Sequence, residues 1–194
     1  MFKIKKNINT PEFWDEQFRK EYELFSKDLG GFIRWNPVRF NLISQYVKNN
    51  QRILDVSCGL GHQMRYLKAR FPLSEVMGLD FSPFAVQIVN QLGGVAFQSD
   101  CYSFTDIVKD FDVILATEII EHVSYPKKML KEIHAGLKDG GTCIVTTPIK
   151  GNQPLEKDHM KEFTITELED LMSKYFKDVV MIDMNLFQMA IGKK

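Results

Sequence analysis

Short apolar runs alternate with amphipathic stretches along most of this chain of 194 residues. Runs rich in β-branched residues indicate buried strands, whereas apolar positions three and four residues apart indicate helices. From residue 51 onward the two patterns alternate, and strands separated by helices imply right-handed βαβ units and a parallel sheet. The predicted strands are 52–57, 75–80, 94–99, 111–116 and 141–147, and the predicted helices are 62–70, 83–91, 104–108, 127–138 and 165–176.

The C-terminal segment has a different pattern. Two strand-like runs, 179–184 and 186–191, are separated by Asn185 as an obvious turn residue. Two strands joined by so short a turn predict an antiparallel pair that closes the sheet. Because no repeat or linker interrupts the chain, we expect one domain over residues 1–194, with its sheet-containing core in 51–194.

The first 50 residues predict helices that cap this core. Thr10 and Pro11 mark one helix start, and a second helix is predicted over 35–48. The first helix carries an aromatic face, which either packs on the sheet as core or forms a lid over a small-molecule pocket, with Gly30-Gly31 as a hinge. The aromatic residues are Phe13, Trp14, Phe18, Tyr22 and Phe25.

Composition narrows the classes of partner and compartment. Apolar residues make up 44% of the chain and the formal net charge is zero, so the totals carry no electrostatic footprint for nucleic acid. Three cysteines without metal-binding spacing fit a reducing compartment. No run approaches the length of a membrane span, and the basic N-terminus lacks the apolar core of a signal peptide. We therefore expect a cytoplasmic protein, while no pattern specifies its oligomeric state.

The stretch from Arg52 to His62 reads as a strand, a glycine-rich loop and a helix start. Gly59 and Gly61 permit a tight turn and a close approach of backbone to ligand. Met64 stands where a dinucleotide-binding fingerprint needs a third glycine. Asp55, at the strand's end, would repel a pyrophosphate but attract an ammonium or sulfonium centre. Either the two glycines only form a turn, or this D-x-x-x-G-x-G stretch contacts a cofactor.

Acidic residues also follow the next strands, where an open parallel sheet binds its ligands. Asp80 ends the second strand, about where an acidic residue grips ribose hydroxyls in nucleoside-binding sheets. It could instead cap the following helix, but Ser82 already suits that role, which favours the ribose. Asp100, after the third strand, either accepts a hydrogen bond from an exocyclic amine or is a turn residue. Thr117 ends the fourth strand.

Taken together, these strand ends resemble class I S-adenosylmethionine-dependent methyltransferases across residues 51–148. The resemblance implies an α/β fold of three layers, Rossmann-like, whose seven-stranded, mostly parallel sheet has an antiparallel last strand. It also implies S-adenosyl-L-methionine as the cofactor and a small-molecule methyl acceptor. The cofactor-binding residues it implies are Arg39, Asp55, Gly59, Gly61, Asp80, Phe81, Asp100, Cys101 and Thr117.

Three further stretches are similar to the ubiquinone-biosynthesis O-methyltransferases: Asn36-Pro-Val-Arg39, Glu118-x-x-Glu121-His122 and Asp158-His159-x-x-x-Phe163. That family implies a contact of Arg39 with the cofactor, and a planar guanidinium suits the methionine carboxylate. The 148–163 stretch is shorter than the family's apolar insertion, which helps to hold a polyprenyl substrate. A lipid-tailed acceptor is therefore not expected.

The expected reaction is in-line transfer of a methyl group, with oxygen as the receiving atom by family resemblance. His122 and His159 are the candidates to receive its proton, because an imidazole titrates near neutral pH. If a helical turn begins at Glu118, then Glu118, Glu121 and His122 share one side. With His159 from across the cleft, they would suit a divalent metal such as Mg²⁺, Mn²⁺ or Zn²⁺.

Other functions remain open at this point. A module could bind S-adenosylmethionine without turning it over, since the cofactor and acceptor sites are separate. RNA terminal ribose methyltransferases share the Glu-x-x-Glu-His motif, although the neutral charge disfavours nucleic acid. A nicotinamide-dependent dehydrogenase is disfavoured by Met64 and Asp55.

Overall fold

The structure is a computed structural model that describes residues 7–25, 37–153 and 156–194. The predicted hinge at Gly30-Gly31 and the predicted start of the second helix at Trp35 lie outside these ranges. Within the described ranges, none of the helices combines the length and apolar character needed to cross a bilayer.

A seven-stranded sheet forms the centre of the molecule, in the order β3-β2-β1-β4-β5-β7-β6. The first five strands are parallel, while β7 runs antiparallel to both of its neighbours, β5 and β6. This topology confirms the predicted fold, including the antiparallel closing pair. The strands are β1 Arg52–Asp55, β2 Glu75–Asp80, β3 Ala96–Gln98, β4 Phe111–Thr117, β5 Leu137–Pro148, β6 Lys177–Asp183 and β7 Phe187–Lys193.

Helices cover both faces of the sheet. The helices are α1 Pro11–Phe25, α2 Pro37–Ser44, α3 His62–Arg70, α4 Pro83–Gln91, α5 Pro126–Gly136 and α6 Ile165–Met172, with a short 3₁₀ turn at Phe104–Asp106. Neighbouring strand residues point to opposite faces. Ile53 of β1 therefore packs in the cluster that holds α2 and α3, and Leu54 packs in the cluster that holds α5 and α6. Burial on both faces explains the nearly continuous apolar runs of β1 and β4.

Several predicted boundaries differ from the structure, and three helices end earlier than predicted. The second helix, predicted to reach residue 48, ends at Ser44, and the helix predicted over 165–176 ends at Met172. The helix predicted over 127–138 ends at Gly136, where β5 begins at once. The pairing of β5 with β4 shifts register after Leu137, so residues 138–141, where the predicted helix ends and the predicted strand begins, form an irregularity within the strand. Gly140, with φ 75°, supplies the left-handed residue of that irregularity.

Candidate active site

The carboxyl ends of the parallel strands open into one cavity of about 630 Å³. That volume falls in the usual range for small-molecule sites. Its wall is completed by α1, by the start of α2 and by Phe187 of β7. Most of the predicted site residues line it: Arg39, Asp55, Gly59, Asp80, Phe81, Asp100, Cys101, Thr117, Glu118 and His122.

The glycine-rich loop after β1 forms the floor of the cavity. Gly59 and Gly61 both have left-handed backbones, with φ 48° and 74°. A Cβ on Gly59 would come within 3.0 Å of the Phe18 ring, so α1 lies directly over this loop. Gly61 is outside the cavity lining, and its missing Cβ instead leaves room for Val89 of α4. The first glycine therefore faces the ligand space, while the second serves packing.

Two buried carboxylates flank the loop. Burial raises the pKa of Asp55 to about 7, against the opposing effects of the Ser57 N–H and the Arg39 charge. Burial also raises the pKa of Asp80 to about 6, although Asp80 accepts hydrogen bonds from the N–H groups of Gly59 (2.9 Å) and Ser82 (3.0 Å). Both groups are short of positive charge and of donors, which a cationic or hydroxyl-bearing ligand would supply.

Asp80 is not the cap of the following helix. Ser82 Oγ accepts a hydrogen bond from the Ala85 N–H at 3.0 Å and caps α4. The carboxylate of Asp80 instead holds the glycine loop and lines the cavity. This arrangement leaves its remaining lone pairs for a ligand, as the ribose assignment requires.

Asp100 and Cys101 follow β3 and differ in what they can offer a ligand. Asp100 Oδ1 accepts hydrogen bonds from the Tyr102 N–H at 2.7 Å and from Ser103 Oγ at 3.1 Å, so the predicted turn role is present. Asp100 also lines the cavity, which keeps its second oxygen close to the ligand space. Burial raises the pKa of the Cys101 thiol to about 12, so Cys101 contributes a neutral apolar wall and no nucleophile.

Arg39 and Gln63 line the cavity, and each has a buried polar atom without a hydrogen-bond partner among the described residues. Arg39 Nη1 lies 3.4 Å from Glu118 Oε1, but its Nε has no partner among the described residues. Gln63, at the start of α3, is only 5% exposed, and neither of its amide atoms is paired within the described part of the chain. The sequence analysis did not identify Gln63. The sequence shows only that Gln63 is a polar residue next to the apolar Met64, and this alone does not indicate a site.

The predicted helical turn at Glu118 is wrong. Glu118 has a left-handed backbone with φ 52°, and the turn begins one residue later, where the His122 N–H donates to the Ile119 carbonyl at 2.9 Å. Glu118 is therefore not among the residues whose ligand atoms cluster with those of Glu121. Its Oε1 accepts a hydrogen bond from Thr146 Oγ1 at 2.6 Å and faces Arg39.

The other three predicted metal ligands do come together. Glu121, His122 and His159 each offer a ligand atom, and these atoms all lie within 4.8 Å of one another. His122 lines the cavity, while Glu121 and His159 lie behind it. The two imidazole rings meet edge to face with centroids 5.0 Å apart, and the Trp14 ring contacts His122 from the cavity side at 5.1 Å.

Glu121 ties this cluster to the loop after β5. Its carbonyl accepts hydrogen bonds from the Met160 and Lys161 N–H groups, and its Oε2 accepts one from Thr147 Oγ1 at 2.9 Å. Burial, followed by the nearby charge of Glu118, raises the pKa of Glu121 well above its usual range. A carboxyl group so deeply buried is favoured in its neutral form unless a cation or imidazolium compensates it.

The family of methyltransferase domains matches residues 36–177 of this chain. The chain belongs to that family. A ubiquinone biosynthesis O-methyltransferase from Coxiella burnetii is 31% identical over 121 residues, which cover 58% of this chain and 50% of the relative. A trans-aconitate 2-methyltransferase from Methylobacterium nodulans is 27% identical over 104 residues, 53% of this chain and 40% of the relative. This methyltransferase domain thus spans about half the length of the curated relatives it matches.

Solved structures share the fold at low sequence identity. A SAM-dependent methyltransferase from Archaeoglobus fulgidus superposes with a TM-score of 0.74 and 17% identity, over 89% of this chain and 99% of that one. Human N-acetylserotonin methyltransferase in complex with SAM gives a TM-score of 0.70 with 14% identity, over 95% of this chain and 56% of that one. The predicted resemblance to class I methyltransferases is therefore confirmed at the level of family and fold.

The residues of this methyltransferase domain fit S-adenosylmethionine. Arg39 Nε and the Gln63 amide, which have no partner within the described ranges, suit the charged amino-acid end of that cofactor. Asp55 and Asp80, with raised pKa values, gain from a nearby positive centre and from hydroxyl donors. The missing Cβ at Gly59 lets the Phe18 ring lie close to the loop, and both residues line the cavity.

Proposed function

We propose that this domain transfers a methyl group from S-adenosylmethionine to a small-molecule acceptor, with oxygen as the receiving atom. The observation that carries the proposal is the single cavity in which the ends of four parallel strands bring together Asp55, Asp80, Asp100 and Thr117. Relatives named as O-methyltransferases support oxygen as the acceptor atom.

The cofactor, when bound, supplies an electrophilic methyl group on a sulfonium centre. Within this chain, Asp80 would accept hydrogen bonds from ribose hydroxyls, and Asp100 with Cys101 would bound the adenine. Arg39 would hold the methionine carboxylate, and Asp55 would lie near the positive charge. Their common task is to fix the direction of attack, which is the main contribution of such enzymes to catalysis.

The acceptor end of the cavity offers His122 as the group that removes a proton. His122 Nδ1 lies 3.3 Å from the carbonyl oxygen of Asp158 and 3.4 Å from its Oδ2. This contact favours the hydrogen on Nδ1, so the nitrogen proposed to receive the acceptor's proton is Nε2, which lies 3.9 Å from Glu121 Oε1. Trp14 closes the same side and would keep water from the reacting atoms.

The same cluster suits a divalent cation as an alternative role. One carboxylate oxygen from Glu121 and two imidazole nitrogens from His122 and His159 form a donor set that fits Zn²⁺ or Mn²⁺ better than Mg²⁺, which prefers oxygen. Such an ion, when bound, lowers the pKa of an acceptor hydroxyl. Glu118, predicted as a fourth ligand, faces Arg39 and does not belong to this donor set.

Two measurements test the proposal. Isothermal titration should show binding of S-adenosylhomocysteine, whereas NADH binding without affinity for that nucleoside would overturn it. Release of S-adenosylhomocysteine should then be measured with panels of small phenols, hydroxy acids and short RNAs. Turnover with hydroxylated small molecules is expected. Turnover with RNA termini alone, or tight binding without any turnover, would replace the proposal by one of the two other functions.

Exhaustive chelation separates the two roles of the histidine cluster. If a cation activates the acceptor, activity should fall at least about tenfold in chelator and return on adding Mn²⁺ or Zn²⁺. Full activity in chelator would leave His122 as a proton acceptor without metal. His159→Ala should lower activity only if a cation is required. His159 is next to His122 but not in the cavity lining, so it would act on the acceptor only through the ion.

A further inference from the structure

The Gln63 amide is a buried polar group for which the fold has no use of its own. Its side chain is 5% exposed and lines the cavity, and its Oε1 and Nε2 both lack a partner among the described residues. An amide buried without hydrogen bonds costs free energy, so such groups call for a ligand or another explanation. No side chain caps the first turn of α3, the turn that carries Gln63.

The packing of α3 places Gln63 on the side of Arg39. Tyr66 stacks on Phe40 of α2 with ring centroids 5.3 Å apart, and Tyr66 Oη donates to Asn41 Oδ1 at 2.7 Å. Residues three apart lie on the same side of a helix, so Gln63 shares the side of α3 that faces α2. Arg39 precedes Phe40 and also lines the cavity.

The neighbouring side of α3 faces the other end of the cavity. Met64 packs in the cluster that contains Val89 of α4 and Ala96 of β3. Helix α4 follows Asp80 and strand β3 precedes Asp100, and these two residues are assigned to the nucleoside. Gln63 therefore lies on the α2 side, away from the ribose and adenine contacts.

The chemistry of the two unused groups is complementary to an α-amino acid. Arg39 Nε can only donate, whereas the Gln63 amide donates through Nε2 and accepts through Oε1. An α-amino acid offers a carboxylate that only accepts and an ammonium that only donates. Resting on the proposed function, we propose that Gln63 is a positioning residue for the amino-acid end of the cofactor. Its Nε2 donates to the carboxylate and its Oε1 accepts from the ammonium.

Two ligands that differ only at this end test the assignment. S-adenosylhomocysteine carries the amino acid, and 5′-methylthioadenosine keeps the nucleoside and sulfur without it. Gln63→Leu should weaken S-adenosylhomocysteine binding by roughly tenfold or more and leave 5′-methylthioadenosine within about twofold. Gln63→Glu, which places a carboxylate opposite the ligand's own, should weaken the first ligand further. Gln91→Leu, the same change at an exposed residue ending α4, is the control and should alter neither affinity.

Thermal melting without ligand distinguishes positioning from a structural role. Because neither amide atom of Gln63 has a partner in the part of the chain that the structure describes, Gln63→Leu should melt at or above the temperature of the unchanged protein. A lowered melting temperature, equal weakening of both ligands, or no weakening of S-adenosylhomocysteine would each overturn the inference. If the unchanged protein bound neither ligand, the proposed function would fail as well, and the two failures are thus distinct.

Discussion

The two ends of the cavity are built in different ways. At the cofactor end, most of the proposed contact residues end a strand or belong to the loop that follows it, as Asp55, Gly59 and Asp80 do. At the acceptor end, His122 depends on partners far away in the sequence. Asn9 Nδ2 donates to the carbonyls of both His122 and Asp158. The first end is fixed by local backbone geometry, the second by contacts among three separate segments.

The two sets of residues also differ in their proposed tasks: those at the cofactor end bind the cofactor, and those at the acceptor end take part in the reaction. Strand ends of a parallel sheet form a rigid rim, so cofactor contacts there vary little in position. The acceptor end consists of a turn after β4, the loop after β5 and the segment before α1. Such connections tolerate change more readily than the elements they join.

The first prediction has the largest expected effect and concerns a residue at the acceptor end, His122. His122→Asn should lower kcat by about 10²–10⁴-fold, because the acceptor's proton loses its receiving group, or the ion loses a ligand. The dissociation constant of S-adenosylhomocysteine should stay within about twofold, since His122 is not among the cofactor contacts. Steady-state kinetics and titration give both values. His134→Asn, on α5 outside the cavity lining, is the control. A parallel loss of cofactor affinity would place His122 at the cofactor end.

The second prediction tests whether backbone geometry alone fixes the cofactor end. Gly61→Val adds a β-branched side chain at φ 74° and puts its Cβ 2.8 Å from Val89 Cγ2. We expect a loss of about 2–4 kcal/mol in the free energy of unfolding, from backbone strain plus overpacking. Chemical denaturation measures the loss.

Gly93→Val is the matched control for that experiment. Gly93 has a similar φ of 80°, but an added Cβ would meet nothing within 4 Å. Gly93→Val should lose only the part of the free energy of unfolding that comes from backbone strain, about 1–2 kcal/mol. Equal losses at both positions would mean that the contact with Val89 contributes nothing.

The third prediction uses the raised pKa of Asp55. Its pKa is near 3.8 when unfolded and about 7 when folded, so burial disfavours the charged form. Its contribution to stability is therefore fully present at low pH and is lost as pH rises through about 7. At pH 8 without ligand, Asp55→Asn should be more stable than the unchanged protein by about 1–3 kcal/mol, and at pH 4 the two should be equal.

Binding should respond in the opposite direction. Asp55 attracts the cofactor's positive centre only when ionised, so affinity for S-adenosylmethionine should rise between pH 6 and 8. Asp55→Asn should lose that rise. Asp170→Asn, at an exposed position on α6, serves as the control in both experiments. A stability difference that does not change with pH would show that Asp55 is ionised throughout.

The sequence predicted which residues line this end of the cavity because the relevant information is local, while their contacts with a cofactor stay a prediction. An apolar run followed by Asp55 and two glycines specifies a strand, a turn and a helix start within eleven residues of chain. Eight of the nine predicted cofactor residues line the cavity. The exception is Gly61, whose spacing is required by packing against α4, a contact that no local pattern reveals.

The acceptor end could be predicted only in part. The motif identified Glu121, His122 and His159, but the helical turn assumed at Glu118 fails because its backbone is left-handed. That conformation depends on the Glu118 N–H donating to the Thr146 carbonyl of β5, a long-range contact. Gln63 was missed for a related reason, since its lack of partners appears only when its surroundings are known.

The smallest expected effect concerns α1, which joins the two ends. Phe13, Trp14 and Phe18 do not belong to the buried core among the described residues, and Trp14 and Phe18 line the cavity, which favours the lid over the core alternative. One edge of α1 is held at α4, where Ser82 Oγ donates to Asp15 and the Arg19 guanidinium lies 4.1 Å from the centre of the Phe84 ring.

At the glycine loop, α1 contributes the Phe18 ring over Gly59 and also Glu21, whose Oε1 lies 3.3 Å from His62 Nε2. Glu21→Gln removes one charge from this half-buried pair without altering its shape. Because partly exposed pairs contribute little, S-adenosylhomocysteine should dissociate only about two- to fivefold faster, with association nearly unchanged. Stopped-flow exchange measures both rates, and hydrogen exchange should show that the amides of α1 gain less protection on ligand binding than in the unchanged protein. Glu16→Gln is the control on the same helix, since Glu16 pairs with the exposed Lys20 one turn away. If both variants released the ligand at the original rate, α1 would be held by its contacts with α4 alone, and its closure over the cofactor would not depend on the glycine loop.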